Sequence, residues 1–132
     1  MKKLLLGLAI SLATLTPFKV QAQPISDVGC SAYGMTNVRK YLTNNYRVYL
    51  CQDNKYTGLS SLFYLGGMRK QNVDHYILLG NLNIDGFGVW VHNNEYTYDI
   101  YYDPHYSSDN YITVSKNGKI ISREKIQAVS NY

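Results

Sequence analysis

The sequence predicts a mainly β protein: a small antiparallel barrel or sandwich with a short N-terminal helix and one disulfide. Three observations predict it. Apolar and polar residues alternate with period two from Tyr46 onward, turn signals punctuate the chain, and two cysteines are present.

The elements follow in order. Lys2 and Lys3 precede an apolar run from Leu4 to Leu15, interrupted only by Gly7, Ser11 and Thr14. Val20-Gln21-Ala22 then supplies the small-residue cleavage pattern of a secretory signal peptide. The run is shorter than the roughly 20 apolar residues that span a bilayer. Residues 1–22 are therefore expected to be a cleaved leader, and residues 23–132 a single β-rich domain able to bury its own core. This reading makes the protein secreted or periplasmic, with no membrane span after cleavage.

Gln23 to Gly34 is polar and reads as irregular. Thr36 to Leu42 is predicted as the short helix. Thr36 can cap it, Met35, Val38 and Leu42 recur at helical spacing, and Arg39 and Lys40 lie near its C-terminal end. Asn44-Asn45 stops it. In Tyr46 to Cys51, Tyr46, Val48 and Leu50 alternate with Arg47, Tyr49 and Cys51, a strand with one face inward. Leu59 to Leu65, closed by Gly66-Gly67, is a second strand, and His75 to Leu79 a third. A loop follows through Asn81, Asn83 and Asp85-Gly86.

Two hairpins complete the domain. Asn93-Asn94 forms the first turn, because asparagine tolerates the positive φ of a tight two-residue turn. That register sets Val91 opposite Tyr96 and Val89 opposite Tyr98, with Phe87 and Ile100 continuing an inner face. Trp90, His92, Glu95, Thr97 and Asp99 share the other face. Asn117-Gly118 forms the second turn. It sets Val114 opposite Ile121 and Lys116 opposite Lys119, a like-charge pair that belongs in water.

Composition narrows the function. Lys2, Lys3 and Lys19 belong to the leader, which leaves ten Lys and Arg against nine Asp and Glu in residues 23–132. The basic residues that remain come as scattered pairs such as Arg39-Lys40 and Arg69-Lys70, not as the concentrated positive surface that nucleic acid requires. Cys30 and Cys51, an even count in an exported segment, are expected to pair, closing a loop of about 20 residues worth about 3 kcal/mol. No CxxC or Cys/His spacing supports a metal or a catalytic thiol.

Candidate chemistry is sparse. No phosphate cradle opens a helix after a buried strand, so no nucleotide cofactor is expected. Asp103, His105 and Asp109 match neither an EF-hand nor a zinc motif, so no metal is expected. His75, His92 and His105 accompany several serines, but no G-x-S-x-G is present. The salient feature is tyrosine: 14 of them, against three Phe and one Trp. Tyrosine suits half-buried strand positions and also makes rigid, amphipathic contact surface. Tyr96, Tyr98 and Ile100 read as core wall. Beyond Asp103-Pro104 the strand must end, which leaves Tyr102, His105 and Tyr106 near a loop tip, where contacts concentrate. Trp90, Tyr102, His105 and Tyr106 are thus the candidate binding residues.

Val48-Tyr49-Leu50-Cys51-Gln52-Asp53 and the stretch from Val114 to Glu124 resemble the opening strand and closing hairpin of a group of small exported bacterial β-proteins. That resemblance implies compartment and fold only. Tyr49-Leu50-Cys51-Gln52-Asp53 is also similar to an early strand of the periplasmic C-type lysozyme inhibitors. Those are small disulfide-linked barrels that insert an S-G-x-x-Y loop into the lysozyme cleft. This chain has no S-G-x-x-Y, so no residue carries over. The expectation is a non-catalytic protein that contacts a protein or an envelope glycan through exposed aromatics. The alternatives are an inhibitor of a cell-wall hydrolase such as lysozyme and a small envelope hydrolase with a His/Asp site.

Overall fold

The computed structural model describes residues 28–55 and 61–132. The expected leader, and the first residues of the expected Leu59–Leu65 strand, lie outside the described residues. Among these residues ten strands form two antiparallel sheets. The first contains β1 (Thr36–Leu42), β2 (Tyr46–Gln52), β3 (Leu62–Met68), β4 (Ile77–Leu79) and β10 (Ala128–Asn131), in the order β10-β1-β2-β3-β4. The second is a meander of β5 (Asn83–Asp85), β6 (Gly88–Asn93), β7 (Tyr96–Tyr101), β8 (Tyr111–Lys116) and β9 (Lys119–Lys125). The chain passes between the sheets at Gly80–Leu82 and again at Ile126–Gln127. At the second crossing the Ile126 amide donates to the Asn110 carbonyl and the Gln127 amide to the Leu42 carbonyl. Among the described residues the ladders form two sheets, with no ladder closing them into one barrel. Among the described residues no helix is long and apolar enough to cross a membrane.

The sheets share a core of Tyr41, Val48, Leu50 and Tyr64 from one side and Val89, Val91, Ile100 and Ile112 from the other. A second core covers the outer face of the first sheet, where Tyr49, Cys51 and Leu65 lie beneath Cys30 and Tyr76. The alternation in Tyr46–Cys51 is therefore present, but both of its faces are buried, not one. The expected disulfide joins Cys30, in the 3-10 turn Gly29–Tyr33, to Cys51 on β2.

The predicted helix at Thr36 to Leu42 is instead strand β1, paired on both sides. Its register shifts between Asn37 and Arg39, so Val38 is an extra, bulged residue. The bulge lets Val38 and Tyr41, three positions apart, both reach the inter-sheet core. A strand with such a bulge imitates helical spacing. Met35 packs into the other core, so the residues that suggested one helix face lie on opposite sides of a sheet.

The glycines that were expected to end the second strand lie within it. A Cβ on Gly66 would fall 2.6 Å from Cε1 of Tyr64, and one on Gly67 2.6 Å from Cε1 of Tyr76. Glycine here makes room for two tyrosine rings on opposite faces. Further along, His75 ends a 3-10 turn, Val73–His75, and only Ile77–Leu79 is extended. The expected loop through Asn83 contains the short edge strand β5.

Both hairpins exist, with altered registers. In the first, Val91 faces Tyr98 and Val89 faces Ile100, so the turn is Asn94-Glu95, with Asn94 at φ 58°. A slip of one residue in the turn moves the pairing by two, which preserves the predicted faces. Phe87 lies outside the strand and is exposed. In the second, Asn117 and Gly118 both take positive φ and Lys116 faces Lys119 as expected, but a bulge at Ile121 sets Val114 opposite Ser122. The bulge falls on an edge strand, where it discourages pairing with another chain.

One polar cluster ties the sheets together. The buried Thr43 hydroxyl donates to Glu124 Oε1 (2.6 Å), and Asn45 donates through its backbone amide to Oε1 (2.9 Å) and through Nδ2 to Oε2 (2.6 Å). Burial alone would raise the Glu124 pKa, but the bonds from Thr43 and Asn45 outweigh it and hold the carboxyl below its ordinary value. The folded state therefore binds fewer protons than the unfolded chain in acid. This stabilisation is present above the ordinary glutamate range and lost as pH falls through the lowered value. Glu124→Gln is expected to cost about 1 kcal/mol at neutral pH, a modest figure because the group is partly solvated. Urea midpoints from pH 7 to pH 3 should show the gap between the two proteins closing in acid; parallel curves would refute the role.

Candidate functional site

The register of the second sheet orders its outer face into rows. Trp90 pairs with Asn83 and Asp99, Asp99 with Thr113, and Thr113 with Arg123. One row therefore reads Asn83, Trp90, Asp99, Thr113, Arg123 across five strands. The adjacent row, two residues along each strand, reads Asp85, Gly88, Tyr101, Tyr111, Lys125. Successive side chains on a strand alternate sides. The neighbours in between, Val89, Ile100 and Ile112, fill the core and leave these two rows facing outward.

The surface they form is aromatic and polar at once. The Arg123 guanidinium lies 4.5 Å over the Tyr111 ring, a stacking arrangement that holds both side chains. Tyr101 meets Phe87 edge-on at 6.5 Å. Asp99, Tyr101, Asp109, Tyr111, Thr113 and Arg123 line a shallow hollow. Asp99 is half-buried and has no hydrogen-bond partner among the described residues. Burial pushes its carboxyl above the usual range, and the Arg123 charge pulls it part of the way back. A desolvated acceptor flanked by aromatic rings is suited to hydroxyl or amide donors on a ligand.

The four predicted contact residues do not form one site. Trp90 is half-buried in the row of Asp99. Tyr102 packs inward: its ring meets Tyr41 edge-on at 6.0 Å beneath the Arg39 guanidinium, and its amide bonds the Phe87 carbonyl. His105 and Tyr106 are the exposed tip, and Tyr106 is 65% accessible. Asp103 builds that tip. Its carboxylate accepts the His105 amide at 2.9 Å, and its own amide and carbonyl bond the buried Asn110 side chain. Asp103 is thus a turn former, and among the described residues no group of three or more His, Cys, Asp or Glu is placed to hold a metal ion.

The histidines are likewise occupied or exposed. His92 Nδ1 lies 2.9 Å from the Thr97 hydroxyl, not from a carboxylate. His75 stands 4.0 Å from Asp74, with both side chains largely in solvent. Alternation along β6 and β7 pointed to Trp90 and Asp99 sharing a face. Tyr111, Thr113 and Arg123 carried no such signal, because their place depends on β8 pairing with β7 across the Tyr102–Asn110 connection. No protein-family model, no curated protein and no solved structure matches the chain.

Proposed function

We propose that this is a non-catalytic binding protein of the cell envelope and that its ligand is a glycan, held on the outer face of the second sheet. The observation that carries this reading is the half-buried, unbonded Asp99 carboxylate set among Trp90, Tyr101 and Tyr111. A sugar ring offers C–H groups to an aromatic face, whose π-cloud is negative, and hydroxyl donors to a carboxylate. Protein partners are instead usually anchored by large side chains sunk into desolvated pockets, and this face offers only a shallow, polar hollow. The disulfide suits an oxidising compartment, where such glycans occur.

The test is titration with soluble peptidoglycan strands and chito-oligosaccharides, followed by Trp90 fluorescence and calorimetry. Saturable binding is expected. Asp99→Asn should weaken it about 10-fold, the worth of one charge-assisted hydrogen bond. Tyr111→Ala should weaken it comparably, and Tyr106→Ala, at the loop tip, should leave it unchanged. Binding lost with Tyr106 but not with Asp99 would move the site to the loop, and no saturable response to any sugar would reject the reading.

A further inference from the structure

The two sheets part at one end, and the gap between them is a cleft of about 230 Å³ unrelated to the outer face. Val48, Ile112 and Val114 supply its aliphatic wall, and Tyr46, Tyr64 and Tyr98 its aromatic one. Met68 and Ile77, both exposed, stand with Gln71 and His75 at its rim. None of the lining residues is Lys, Arg, Asp or Glu.

One group in this cleft is unexplained by packing. Tyr64 is 3% exposed and fixed between Gly66, whose missing Cβ makes room for the ring, and Tyr98, whose ring centre lies 5.5 Å away. Its hydroxyl has no hydrogen-bond partner among the described residues. The neighbouring Tyr46 hydroxyl is satisfied, donating to Ser122 Oγ at 2.9 Å. Buried hydroxyls in native proteins are almost always bonded, because a desolvated, unpaired donor is unfavourable. Phenylalanine would supply the same packing without that penalty.

We propose that the cleft is a binding site for a neutral, one-ring aromatic molecule bearing a single acceptor oxygen, which takes the hydrogen bond that Tyr64 offers. The size fits: an engineered cavity of about 150 Å³ holds benzene, so this one accommodates a ring with a short substituent. The absence of fixed charge in the lining selects against ions, whose desolvation nothing there would offset. The tyrosine walls favour a ring over an aliphatic chain, through edge and face contacts. Apolar walls with one placed polar group are the usual composition of a small-molecule site. The proposal is independent of the glycan reading and shares no residue with it.

Three probes of similar size separate the elements: acetophenone, ethylbenzene and benzoate, each titrated against the processed protein by saturation-transfer NMR. Acetophenone is expected to bind saturably, ethylbenzene about 10-fold more weakly, and benzoate not measurably. Tyr64→Phe should abolish the preference for acetophenone without lowering the thermal midpoint, since the lost hydroxyl has no protein partner. Val114→Phe, a half-buried wall position, should close the cleft and remove binding of both neutral probes. Asp99→Asn should alter neither. Equal binding of acetophenone and ethylbenzene, a preference that survives in Tyr64→Phe, or no binding of any probe would each overturn the proposal.

Discussion

Replacing Cys30 and Cys51 together by alanine is expected to lower stability by about 3 kcal/mol, as judged by urea unfolding. The pair is separated by 21 positions in sequence, and closing a loop of that length removes about that much entropy from the unfolded chain. Against a domain stability of about 5–15 kcal/mol the loss is large. It also has a location. Both cysteines are fully buried in the second core, where the turn Gly29–Tyr33 lies over Tyr49 and Leu65. Among the turn's other ties to the sheet and its cover, the Cys30 amide donates to Asn37 Oδ1 (2.8 Å), and the Tyr33 hydroxyl to the Val73 carbonyl (2.9 Å). Without the sulfur bridge, amides of the turn should exchange with solvent well before those of Ile100 and Ile112 in the inter-sheet core. Native thiol titration of the unreduced wild type should find no reactive sulfur. A double variant less than 1 kcal/mol below wild type, with exchange at the turn unchanged, would mean that the apolar contacts hold the cover by themselves.

The same turn illustrates what a sequence displays and what it hides. The β class is legible because strand periodicity and turn chemistry are local: Asn117-Gly118 needs only its own φ angles to make its hairpin. The cysteine pairing is legible because there is one way to join two. Strand β1 imitates a helix in sequence because a bulge changes the local period from two to three, and what overrides the helical spacing is pairing with β2 and β10, the latter some ninety residues away in sequence. The second core was hidden for a related reason. Alternation tells which side chains oppose each other but not whether a second layer covers the outer set.

The candidate site divides along the same line. Trp90 and Asp99 fall on one face by alternation and hairpin register alone. Their continuation to Thr113, Tyr111 and Arg123 exists only through the β7–β8 ladder, whose connection is a nine-residue excursion, Tyr102–Asn110, with no register signal of its own. Tyr102 shows the converse. Its neighbours at the loop tip are exposed, yet it continues the inward alternation of Tyr98 and Ile100 and sets its ring against Tyr41, and proximity in sequence to a loop was no guide to its surroundings.

The abundance of tyrosine in the interior predicts a further large effect, at alkaline pH. Tyr41 and Tyr64 are almost wholly buried. Burial raises the pKa of both above the ordinary value, against a partial opposing effect of Arg39 at Tyr41 and reinforced by the neighbouring Tyr98 at Tyr64. Burial likewise raises the more accessible Tyr76 and Tyr98. These phenols keep their protons in the fold after the unfolded chain has lost them. Above about pH 10 the unfolded state therefore binds fewer protons, and stability must fall as pH rises. A fully protected phenol contributes about 1.4 kcal/mol per pH unit, which Tyr64 supplies, and Tyr41 steepens the slope further, though Arg39 works against its rise. Tyr76 and Tyr98 add less, because water screens them. A stability of ordinary size is consumed within a few units of pH, and the protein should unfold cooperatively in strong alkali while remaining stable near pH 8. Urea midpoints from pH 8 to pH 11.5, read alongside tyrosinate absorbance, measure it directly. The absorbance should include an abrupt step as the fold is lost and the buried Tyr41 and Tyr64 are released. Tyr64→Phe should remove one proton's worth of the slope. A smooth single titration of all the tyrosines that precedes unfolding would show that these rings reach solvent in the native state, and the tightness of the inter-sheet core would have to be abandoned with it.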